Sequence, residues 1–225
     1  MHASRDFYHT DAQTLALRLL GATLHRRFAP GRIATLRIVE TEAYVGPEDL
    51  CSHAKHARRT ERNAAMFGPP GIAYVYFTYG MHHCLNVVCG SPTRPAAVLI
   101  RAAEPLRNYD LLRAGTASAL PTSGPARLCR ALNIDLSLDA APLTPRASLW
   151  ISLGPSPPRV AASPRVGVAQ GSAWTTAPLR FLDPDSRWVS TRRGPYTGTI
   201  LSDPRPRPYH SGLVFLRSGT RPTEG

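Results

Sequence analysis

The chain has 225 residues, of which 43% are hydrophobic. That is enough for one large domain with a real core, and no apolar run reaches the ~18 residues needed to cross a membrane as a helix. The formal net charge of +12 is carried almost wholly by arginine, with Lys55 the single lysine. It disfavours basic partners and points to a polyanion, nucleic acid first.

In chain order, Met1 to Asp6 has no apolar stretch, so no secretory leader is expected and the expected setting is cytoplasmic and nucleoid-associated. Asp11 to Leu24 predicts a helix, capped by Thr10 or Asp11, with Leu15, Leu19 and Leu20 as its apolar face. Residues 33–45 predict a long strand ended by Gly46-Pro47. Residues 48–71 are polar and irregular, with short helical pieces around Arg59 to Met66 and a turn cluster from Phe67 to Gly71. Residues 72–79 and 82–89 predict two strands joined at Tyr79-Gly80-Met81, and 97–103 a third that carries Arg101. Pro92 and Pro95 mark the connection from Cys89 to Ala97 as a surface loop. Gly124 to Leu132 is a proline-started short helix, and 147–153 and 159–168 are strands. From Thr191 the composition shifts, and Pro204 to Pro208 suits an extended basic segment. Strands mixed with short helices, without βαβ alternation, predict an α+β fold on an antiparallel sheet.

Strand alternation sets Ile38, Glu40, Glu42 and Tyr44 on one face, with Val39 and Ala43 on the other. Two close carboxylates repel, and burial raises at least one pKa, which is how a general base near neutral pH is made. An exposed polar strand face is the competing reading, and the strand alone leaves the two even. His53 follows one loop later, where a lone histidine is more often solvated. His56 lies in a basic run with Lys55, Arg58 and Arg59 that suits phosphate contact. Tyr74 and Tyr76 share one face of their strand, while Val75 and Phe77 share the other and point to the core. Tyr79 sits at the turn, where a ring fills no core and is placed to wedge into a base stack. Asn86 can read base edges, and Arg101, inside an apolar strand, requires an anion such as Glu42 or Glu40. Of the cysteines, Cys84 and Cys89 face opposite ways on a strand, so with His82 and His83 they make a poor zinc set. Cys51 stands close before His53.

Taken together, these segments resemble the alkyladenine (3-methyladenine) DNA glycosylase family. The resemblance rests on Arg37 to Asp49, Ser52-His53, Arg62-Asn63, Met66-Phe67, Tyr74-Val75-Tyr76 and Tyr79-Gly80-Met81. It continues through Cys84-Leu85-Asn86, Leu99 to Ala102, Glu104-Pro105-Leu106, Gly124-Pro125, Leu128-Cys129, Ala131-Leu132, Arg165 to Val168 and Trp188-Val189-Ser190. It implies a single domain over residues 1–190, with a curved antiparallel β-sheet flanked by helices and a protruding β-hairpin. Residues 191–225 remain as an Arg/Pro-rich extension, expected to lack fixed structure.

The resemblance also implies the chemistry: a monomer that flips alkylated or deaminated purines out of duplex DNA and hydrolyses the glycosidic bond, with no cofactor and no metal. Glu42 is then the general base, with Arg101 and the Val166 carbonyl holding its water. Tyr44, His53 and Tyr76 bind the base, Asn86 disfavours guanine, and Tyr79 and Met81 enter the vacated stack. The single lysine fits a water-using, monofunctional enzyme, because a lyase step usually needs an amine. Two other functions compete: a non-catalytic nucleic-acid binder of the same fold, and a glycosidase on free nucleosides that uses Glu40 and Glu42 as a pair.

Overall fold

The alternating and apolar runs of this chain pair as strands, and each strand pairing is antiparallel. The computed structural model describes residues 1–28, 31–112, 120–168, 171–190 and 199–201. Helices α1 (Arg5–Tyr8) and α2 (Ala12–Leu19) lead into strands β1 (Thr23–Phe28) and β2 (Arg32–Tyr44). A long connection with a 3₁₀ helix at Glu61–Phe67 precedes β3 (Ala73–Thr78), β4 (His82–Ser91) and β5 (Arg94–Arg107). Then come α3 (Pro125–Ala131), β6 (Leu149–Ser152), β7 (Ala161–Ser163), α4 (Ala173–Thr176), β8 (Arg180–Leu182) and β9 (Thr199–Ile200).

The sheet runs β3-β4-β5-β2-β8-β7-β9. The far edge of β2 is shared: its first half pairs with β1, which continues to β6, and Glu40 to Glu42 pair with β8. This fork, with the helices set beside a curled sheet, is the α+β architecture the sequence predicts. Leu15 and Leu19 of α2, and Leu20 just after it, are fully buried with Leu36, Ile38, Ile100 and Phe181 in the main core, each such side chain contributing about 1.5–3 kcal/mol.

Several local expectations change. Helix α2 stops at Leu19 instead of Leu24. Asp11 caps it by accepting from the Thr14 N–H at 2.9 Å, and Gly21 then turns the chain at φ 84°. A side chain at Gly21 would sit 2.0 Å from the Pro155 carbonyl oxygen, so the turn needs glycine and Thr23 starts a strand. Cys89 to Ala97 is no surface loop: β4 and β5 pair directly from Cys89↔Ala96 to Ser91↔Arg94. The predicted strand 159–168 shortens to Ala161–Ser163, with Arg165 to Val168 forming a loop. Pro204 to Pro208 lie outside the described residues, and of 191–225 only 199–201 are described, where Thr199 and Ile200 pair with β7.

The register of β2 on β5 slips on both sides of Glu40: Ile38↔Ala103, Glu40↔Ala102, Thr41↔Ile100. The irregularity leaves Val39 and Arg101 without directly opposed partners and inverts the alternation. Ile38 therefore faces the main core with Ala43, while Val39 packs in a smaller cluster with Leu182 and Trp188. Ile38 does not share the face of Glu40 and Glu42, as strict alternation predicts.

Candidate active site

Glu42 lies fully buried on β2, 0% exposed. Its Oε1 accepts from the Val166 backbone N–H at 2.8 Å and lies 3.2 Å from Arg101 Nη1, and its Oε2 accepts from the Tyr44 hydroxyl at 3.1 Å. A carboxylate offers about four acceptor positions, so these contacts leave room for one more donor, such as water. Burial raises the Glu42 pKa; Arg101 and the Val166 N–H pull it down, Glu40 adds to the rise, Tyr44 lowers it slightly, and the net shift is upward.

Arg101 stands opposite the irregularity in the β2–β5 pairing. Its Nε donates to Glu40 at 2.8 Å, its Nη2 to the Ser190 hydroxyl at 3.1 Å, and its Nη1 reaches Glu42. Burial works against its charge, yet Glu42 and Glu40 outweigh it and raise its pKa. Both carboxylates named as candidate partners in the sequence are therefore partners. Glu40 also accepts from Arg180 Nε at 2.7 Å and from the Ser190 N–H and hydroxyl at 2.6 and 2.9 Å. Its role is to hold the guanidinium that faces Glu42.

A cavity of about 390 Å³ opens above this group, lined by Tyr44, His53, Tyr76, Asn86, Arg101 and Val166 among others, a size suited to a small ligand. Glu42 is not part of its wall and lies one layer beneath, behind Tyr44, Arg101 and Val166. Tyr74 and Tyr76 share one face, as alternation predicts, with ring centroids 5.4 Å apart. The His53 ring meets Tyr76 edge-on at 4.6 Å, and its Nδ1 is hydrogen-bonded to the Tyr74 hydroxyl at 2.7 Å. Although one side of His53 is exposed, burial of the rest, helped by the Arg62 and Lys55 charges, lowers its pKa to about 4. It is a neutral ring at neutral pH, with Nε2 left to take the role opposite to Nδ1. The His53 loop is tied down by Asn63, whose Nδ2 donates to the carbonyls of His53 and Arg58 at 2.7 and 2.9 Å.

Asn86 is buried on β4, and its Nδ2 donates to the Tyr74 carbonyl at 3.1 Å. Cys84 lines the cavity while Cys89 lies in the main core, the opposite orientations expected on a strand. Cys51 is a half-buried part of the cavity wall. Tyr79 stands at the hairpin tip, 80% exposed, with Met81 and Phe77 exposed beside it. Phe77 thus leaves the core face predicted for it, tilting against His83 at a centroid distance of 5.0 Å. Tyr79 and Gly80 both take positive φ, 52° and 66°, closed by the Met81 N–H to the Thr78 carbonyl at 3.2 Å. Left-handed backbone is costly for a bulky residue.

Sequence reasoning missed the clamp on Val166. Asp49 and Arg165, both buried, form a two-armed ion pair at 2.6 and 2.8 Å. Arg165 also donates to the Ala43 and Trp174 carbonyls at 2.9 and 3.2 Å, so the loop carrying Val166 is fastened to the end of β2. Both residues stand inside the resembling segments, but spacing gives no sign that they meet. Arg180 and Ser190 were likewise invisible as partners of Glu40.

A family model described as methylpurine-DNA glycosylase matches residues 6–187. The chain is 42% identical over 201 residues to the DNA-3-methyladenine glycosylase of Mus musculus, covering 82% of this chain and 60% of that protein. It is 42% identical over 200 residues to the DNA-3-methyladenine glycosylase of Homo sapiens, covering 82% and 66%. A relative from Methanocella arvoryzae is 43% identical over 192 residues, covering 84% and 95%. The chain therefore spans just under two thirds of its mammalian relatives and nearly all of the archaeal one.

Proposed function

The chain belongs to the methylpurine-DNA glycosylase family, and from that premise we propose that it is a DNA repair glycosylase. It hydrolytically excises alkylated or deaminated purines, of the 3-methyladenine, hypoxanthine and ethenoadenine class, from duplex DNA and leaves an abasic site. The observation that carries this reading is the buried Glu42 carboxylate beneath a ring-lined cavity, with an exposed tyrosine at a hairpin tip.

In this reading the nucleotide swings out of the duplex and Tyr79, with Met81, fills the vacated stack. Extrusion costs a few kcal/mol, least for a damaged or mispaired base. The base stacks between Tyr44 and Tyr76 beside His53, and Asn86 crowds the exocyclic amine of guanine. Glu42 takes a proton from a water that Arg101 and the Val166 carbonyl help to hold. The oxygen attacks the deoxyribose C1′ as the glycosidic bond breaks, and the bonding pair leaves with the purine. The carboxylate supports the oxocarbenium character of the transition state. A cationic alkylpurine leaves without further protonation, while a neutral lesion needs a proton on the departing ring.

Lys55 and the N-terminus are the chain's only amines of the kind a lyase uses, so the reaction is assigned to water and the enzyme is monofunctional. The proposed working form is a monomer on double-stranded DNA, cytoplasmic and nucleoid-associated. Among the described residues no helix is long and apolar enough to cross a membrane. Incubation with a duplex carrying hypoxanthine should release the free base and leave an alkali-labile abasic strand. Lesion binding without release would instead establish the non-catalytic binder, release from free nucleosides that is indifferent to Tyr79→Ala the nucleosidase, and a borohydride-stable adduct on DNA a lyase.

A further inference from the structure

Each of the two rings assigned to sandwich the base is in contact with an arginine. Arg62 Cζ lies 5.3 Å from the Tyr76 centroid, and Arg165 Cζ lies 4.7 Å from the Tyr44 centroid. Tyr44 and Tyr76 line the cavity and neither arginine does, so the guanidiniums sit outside the space for the base, behind its rings. The two differ in compensation. Arg165 is paired through two bonds to Asp49. Arg62 donates to the Phe77 carbonyl at 3.2 Å, and among the described residues no carboxylate forms a salt bridge with it.

Resting on the glycosylase reading above, we propose that Arg62, with Arg165 in a lesser part, is a specificity-determining residue. It biases the pocket against purines that carry a formal positive charge and toward neutral purines of similar shape. An aromatic face attracts cations because its quadrupole is negative there. A guanidinium behind the ring draws that density back and repels a like charge stacked in front, while a neutral base loses little. With a stacking distance of about 3.5 Å added to the 5.3 Å behind the ring, a base charge would stand about 9 Å from Arg62. At the effective dielectric of a partly exposed site, that separation is worth a discrimination of about three- to tenfold. Arg62 also helps to keep His53, the third ring of the pocket, uncharged. The Glu42 carboxylate still attracts cations, so the arginine trims a preference and does not abolish binding.

The test is the ratio of single-turnover release rates for 7-methylguanine, cationic in DNA, and hypoxanthine, neutral, from otherwise identical duplexes. Duplex affinity common to both substrates cancels in that ratio. Arg62→Gln removes the charge and should raise the cationic-to-neutral ratio about three- to tenfold, while Arg62→Lys, which keeps it, should leave the ratio near that of the unaltered protein. Because Arg62 is exposed, added salt should raise the ratio in the unaltered protein too, which supplies a readout should the variants misfold. A ratio unmoved by both Arg62→Gln and salt overturns the charge filter alone, as does an equal rise in Arg62→Lys. Release of neither base by the unaltered protein overturns the glycosylase reading and the filter with it.

Discussion

Glu40 and Glu42 stand two residues apart on one strand, equally buried, and differ in what surrounds them. Four donors fill Glu40: the Nε of Arg101, the Nε of Arg180, and the N–H and hydroxyl of Ser190. It is held as an ion-pair hub. Glu40→Ala should lower unfolding stability by about 3–5 kcal/mol in a denaturant titration, since two buried guanidiniums lose their shared anion. A loss below ~1 kcal/mol would show that the hub is not structural. Glu42 keeps an open acceptor position, and burial raises its pKa while that of His53 falls to about 4, so Glu42 gains its proton ahead of His53 on acidification. The base works ionised, so release should be full at neutral pH and fall as pH drops through a pKa above the ordinary glutamate range. A rate profile flat down to pH ~4 would contradict that order.

At the scale of elements, the β3–β4 hairpin trades stability for reach. Tyr79 holds a left-handed backbone and exposes its ring at the tip. Tyr79→Gly should relieve that backbone and raise stability by about 1 kcal/mol by thermal or chemical unfolding. The same variant should lose about tenfold or more in excision from duplex, because nothing then fills the vacated stack. A variant that is both less stable and fully active would reverse the assignment. The hairpin was legible because Tyr74 and Tyr76 alternate on a strand that breaks at Tyr79-Gly80. The irregularity at Glu40 was not, because a one-residue slip in pairing leaves no trace in composition, and assuming strict alternation misplaced Ile38. Strand β8 has three residues, too few for any periodicity, which hid Arg180. Asp49 and Arg165 were hidden for a different reason: their contact depends on how two loops cross at the end of β2.

Across the whole molecule, a net charge of +12 and a cavity beneath a projecting ring suit the proposed action on one unit of a polyanion. Duplex affinity should fall by at least about tenfold from low to moderate salt, as phosphate contacts release counterions; salt-independent binding would show that the charge plays no part. The composition made that partner legible, and the resembling segments marked out Glu42, Arg101, Tyr44, Tyr76 and Asn86 before any contact between them was visible. Folding brings Arg101 from β5, Val166 from the loop after β7 and Tyr44 from β2 around one carboxylate. The most direct test of that convergence is purine release from a hypoxanthine-containing duplex by the unaltered protein and by Glu42→Gln, with duplex binding measured alongside. The predicted result is release by the first, a loss of about 10²–10⁴-fold in the second, and equal binding by both; undiminished release by Glu42→Gln would contradict it.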